Sequence, residues 1–114
     1  MMSAQTQATP QPLIVSVPHR LGREEAKRRI DTGIMRVGPE LGAIVNALDY
    51  HWQADTLHLS AQAMWQTITG RVAVLDEAVR VEIDLPWLMR LIGDTVGKQV
   101  RERVSLMLQG PTRA

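Results

Sequence analysis

The sequence predicts an α+β fold: an antiparallel sheet of four to five strands with two helices packed on one face, in the order β-α-β-β-β-β-α. Three observations carry that prediction. Val79, Val81, Ile83 and Leu85 alternate with Arg80, Glu82 and Asp84, which is the period of a strand with one apolar and one charged face. Leu88, Leu91, Ile92, Val96, Val100, Val104, Met107 and Leu108 recur at helical spacing before Gly110-Pro111 stops the run. Between Tyr50 and Leu85 the chain is a series of short alternating segments, the pattern of consecutive hairpins.

Taken in order, Leu13-Ile14-Val15-Ser16-Val17 is a β-branched strand closed by Pro18. Gly22-Arg23-Glu24-Glu25 opens a helix with acids in its first turn, where the helix dipole favours negative charge. Glu24 and Glu25 each precede an arginine, Arg28 and Arg29, by four residues. Ala26, Ile30, Ile34, Val37, Leu41, Ile44, Val45 and Leu48 form the apolar stripe. Gly38-Pro39 interrupts it, so the element is either one kinked helix or two, spanning about 23–37 and 39–47. In the following hairpin Tyr50, Trp52, Leu57 and Leu59 share one face, and His51, Gln53, Thr56 and His58 the other. A two-residue turn at Ala54-Asp55 would oppose residue 52 to 57 and 51 to 58. Ala54 resists positive φ, which leaves a looser loop as the alternative. Two more strands, around Ile68–Val74 and Val79–Leu85, meet at a turn made by Asp76-Glu77. Pro86, just after Asp84, suits the first position of the final helix, expected over 86–109.

The 114 residues make a single domain, expected over 12–110 between a disordered tail at 1–11 and a short tail at 111–114. No cysteine is present, which excludes disulfides and thiolate chemistry. Thirteen basic and 12 acidic residues give a net charge of +1, with no basis for bulk nucleic-acid binding. No apolar run is long enough to span a membrane, and the first residues lack the features of a signal peptide. The expected location is cytoplasmic.

Several groups merit weighing as sites. His51 and His58 would face each other across two strands and could offer two imidazoles to a metal. No clear third ligand accompanies them, so solvated histidines and no metal are expected. Arg20, Arg23, Lys27, Arg28, Arg29 and Arg36 could form a phosphate patch, but Glu24, Glu25 and Asp31 among them favour an ordinary solvated helix face. Met64, Trp65, Trp87 and Met89 lie near loops and element ends, where they either pack in the core or form an apolar contact for a partner. Glu82 and Asp84 share a wet strand face, which gives no shielding for acid–base work. Gly93 and Gly97 allow close packing against the sheet or a partner helix. No nucleophile elbow, phosphate loop or dinucleotide fingerprint occurs, so no catalytic residue and no cofactor are expected.

The string Val17-Pro18-His19-Arg20-Leu21-Gly22-Arg23-Glu24-Glu25-Ala26 resembles the opening of the polyhydroxyalkanoic acid system proteins, small bacterial proteins associated with polyester-storage granule genes. Their pattern is a strand, then "PH-x-L-G-x-x-E-A", then a helix. Trp52-Gln53-Ala54-Asp55-Thr56-Leu57-His58-Leu59 is similar to the family hairpin W-x-G-D-T-L-x-F. Gly70–Val74 with Val79–Ile83, and Leu85-Pro86-Trp87-Leu88, also agree with it, so the resemblance covers about 13–108. The chain departs from the pattern at Ala54 (usually glycine), Leu59 (usually aromatic), Gly38-Pro39 (usually unbroken helix) and Met64-Trp65 (usually more polar). The resemblance implies a non-enzymatic accessory protein that binds a polyhydroxyalkanoate granule, a granule protein or an apolar ligand. The alternatives are a module holding an acyl or hydroxyacyl molecule between sheet and final helix, and, third, an enzyme. Exposed edge strands also invite homodimer formation.

Overall fold

Strand alternation places the sheet. In the computed structural model, which describes residues 12–40, 47–63, 66–85 and 92–109, five strands form one antiparallel sheet. They are β1 (Leu13–Pro18), β2 (Ala47–Gln53), β3 (Thr56–Ala63), β4 (Gln66–Val74) and β5 (Ala78–Asp84). Their spatial order is β1-β5-β4-β3-β2, so the first strand lies beside the last and β2 forms the far edge. Helix α1 (Arg23–Glu40) joins the first two strands in sequence, and α2 (Gly93–Gln109) closes the fold. The element order is the expected one.

The register aligns side chains in rows. Val15, Val81, Val72, Leu57 and Trp52 form one row, and Val17, Val79 and Val74 another, on the face the helices cover. Ala26 and Ile30 of α1 and Val104 and Leu108 of α2 complete this core. Leu57 and Val79 are fully buried. The helices approach closely at Gly33, where a β-carbon would run into Met107. Gly97 lies against Leu13 and Val15 of β1, which is the close packing expected of it, whereas a β-carbon at Gly93 would meet nothing within 4 Å among the described residues.

Ala54-Asp55 is the two-residue turn that opposes residue 52 to 57 and 51 to 58, with Ala54 accepting a φ of 57°. Three expectations need correction. The helix continues through Gly38-Pro39 to Glu40. Pro39 falls in the last described turn, where its missing N–H costs only one intrahelical bond. Ala47 and Leu48 belong to β2, not to a second helix; their spacing from Ile44 mimics a helical stripe, but pairing with β3 extends to Ala47. Strand β3 likewise runs on to Ala63, where a loop was expected. The tails, the second half of the first stripe at 41–46, Met64-Trp65 and the Pro86 helix start lie outside the described residues. Ile92, counted in the final stripe, is 50% exposed.

Candidate functional site

The motif residues converge on one end of the sheet. Pro18 ends β1, and Gly22 turns the chain into α1 at a φ of +84°, a conformation that needs glycine. His19 lies between them and fixes the loop at two points. Its Nε2 donates to the Leu75 carbonyl at 3.0 Å, and its Nδ1 accepts the Leu21 N–H at 3.1 Å. A carbonyl can only accept, so the proton sits on Nε2. The His19 N–H also donates to the Glu77 carbonyl. The loop is thereby clipped onto the β4–β5 turn.

Arg23, in the first turn of α1, ties two turns together. Its Nε donates to Asp76 at 3.1 Å, and a terminal nitrogen donates to Asp55 at 3.2 Å. Both carboxylates stabilise the charged guanidinium and raise its pKa, the Asp55 hydrogen bond most. Lys27, one turn on, donates to the Ala54 carbonyl at 2.8 Å and stands over the Trp52 ring at 4.9 Å. The Trp52 indole N–H donates to Asp31 at 2.8 Å. Glu25 accepts from Arg28 and from Arg29, and these two bonds hold its carboxyl down at about 2, the Arg28 bond contributing most. Glu25 rather than Glu24 takes Arg28, at i,i+3 spacing. Arg29 also reaches the Leu108 carbonyl at 2.6 Å, satisfying an end group of α2. Four of the six bases weighed as a phosphate patch thus serve intramolecular bonds; Arg20 and Arg36 stand exposed. Among the described residues, three depressions border this end, all open to solvent. One lies where β1 meets α2, lined by Val17, Leu21, Ser105 and Leu108 among others.

The uncovered sheet face is polar. Its central row reads Ile14, Glu82, Arg71, His58 and His51 across the five strands. Arg71 binds Asp84 and Glu82, and Arg80 also meets Glu82. The Arg71 bonds, with one from the Thr69 hydroxyl, lower the Asp84 pKa against the opposing effect of burial. That direction is opposite to what proton donation at neutral pH requires. His51 and His58 stand opposite each other as expected, their rings stacked 5.2 Å apart and 13° from parallel. Among the described residues no third His, Asp, Glu or Cys joins them in a group able to hold a metal. Met64, Trp65, Trp87 and Met89 lie outside the described residues.

The roles of His19, Arg23 and Asp31 are not legible in sequence. The available signal is position: His19 follows a strand-ending proline and precedes a helix-opening glycine by three residues. Among the described residues no helix is long and apolar enough to cross a membrane. The family model described as "Putative polyhydroxyalkanoic acid system protein" matches residues 13–108. No curated protein and no solved structure gives a significant match.

Proposed function

The chain belongs to the polyhydroxyalkanoic acid system family, and from that premise we propose that it is a non-catalytic accessory protein that works by contact with the storage granule or a granule protein. One observation carries the reading: the family's signature residues are spent on holding the fold. Pro18, His19, Gly22, Glu25 and Ala26 terminate, clip, turn, pair or fill the core. The strand-face acids Glu82 and Asp84 are bound to Arg71. A polar sheet face suits water rather than polyester, so the apolar contact is assigned to the helix layer. There Met35, Ile92 and Leu106 are half exposed or more.

Incubation of the purified protein with isolated granules, followed by sedimentation, tests this. Enrichment over a control protein of similar charge is expected; equal recovery of the two would end the proposal. The depression between β1 and α2 supports a second reading, an acyl-binding module. Thermal shifts with fatty-acyl and hydroxyacyl compounds test it: a concentration-dependent rise favours it and no shift removes it.

A further inference from the structure

The two edges of the sheet are unlike. A two-residue turn makes Gln53 and Thr56 a hydrogen-bonded pair. By alternation Asp49 and His51 also direct their backbone groups at β3, while Leu48, Tyr50 and Trp52 direct theirs outward. The same alternation, carried through the register to β1, turns the Ser16 carbonyl outward at the opposite edge. Arg101 donates to that carbonyl at 2.8 Å. Pro18, the next outward position on β1, has no N–H to offer. The β1 edge therefore carries two devices that block strand addition. Strand β2 contains no proline, lysine or arginine.

We infer that β2 pairs antiparallel with β2 of a second copy, about a two-fold axis at Tyr50, to give one continuous sheet. Polar complementarity decides both occupant and register. An axis at Asp49 would set two carboxylates face to face, and one at His51 would leave Asp49 against Gln53. An axis at Tyr50 sets Asp49 against His51 of the second copy, twice, on the polar face. On the helix face it sets Leu48 against Trp52 and Tyr50 against its own copy. The outward N–H and C=O groups of Leu48, Tyr50 and Trp52 are the ones this register pairs. Among the described residues the Asp49 side chain has no ion-pair or hydrogen-bond partner, and Tyr50 is 37% exposed. Strand β2 therefore reads as half of a self-complementary interface.

Sedimentation velocity from about 1 µM to about 1 mM tests the pairing. The wild-type chain is expected to shift to twice its 12.7 kDa mass within that range. Tyr50→Pro removes an outward N–H only, so it should fold, with unchanged circular dichroism, and stay monomeric. His51→Asp opposes two acids across the axis and should weaken the dimer about tenfold or more. Asp49→His combined with His51→Asp restores the complementarity and should recover dimerisation, which keeps the test decisive if Tyr50→Pro fails to fold. A monomer throughout the range, or a dimer indifferent to His51→Asp, overturns the inference.

Discussion

Two residues with positive φ carry opposite expectations. Ala54 holds a φ of 57°, where a β-carbon crowds the backbone. Ala54→Gly should raise stability by about 1 kcal/mol in urea unfolding; an unchanged or lower midpoint would mean that the turn relaxes around alanine. Gly22 holds a φ of +84° with no atom within 4 Å of an added β-carbon. Gly22→Ala therefore meets only backbone strain and should lose about 1 kcal/mol. A loss far above that would point to a clash the surroundings do not contain. The Ala-Asp pair marks the place of the turn in the sequence, but not its conformation. Alanine argues against the tight form, and only the pairing of Gln53 with Thr56 forces it. His19 shows the same limit: its partners, Leu75 and Glu77, are brought near by the sheet order, which no local pattern contains.

At the scale of elements, α1 is held by Glu25 and its two arginines, and through Arg29 it also holds the end of α2. The folded carboxyl sits at about 2 against an ordinary 4.5, the Arg28 bond being the largest cause. Its contribution is thus complete above the ordinary value and is lost as pH falls towards about 2. Glu25→Gln should flatten the stability profile across that acid window. Unfolding midpoints measured through it check the point, and profiles parallel to wild type would contradict it. Removing Arg29 should cost more than an exposed ion pair, about 1–2 kcal/mol for Arg29→Met, because the Leu108 carbonyl also loses its donor. Periodicity made β5 and most of α2 legible. It failed at Ala47-Leu48, which continue a helical spacing and yet are strand. There the cross-strand partners Gln62 and Ala61 override the local pattern.

For the whole molecule, one sheet face is sealed by two helices and the other is a polar field of paired charges and stacked histidines. That asymmetry was visible as apolar–charged alternation, most clearly in residues 79–85. The residues expected to make an apolar contact, Met64, Trp65, Trp87 and Met89, lie outside the described residues; among the described ones, Met35, Ile92 and Leu106 are exposed on the helix layer. Met35 and Leu106 fall off the apolar stripes read from the sequence, but how far each is exposed depends on where the neighbouring helix packs. The proposed granule contact lies on this layer, and the proposed β2 pairing would leave it uncovered because the two-fold axis runs through the sheet. Granule sedimentation of paired variants tests the claim most directly. Met35→Glu with Leu106→Glu should reduce wild-type enrichment about tenfold or more, and Thr67→Lys on the open sheet face should leave it unchanged. Full enrichment of the helix-layer variant, or none for the wild-type chain, would contradict the account.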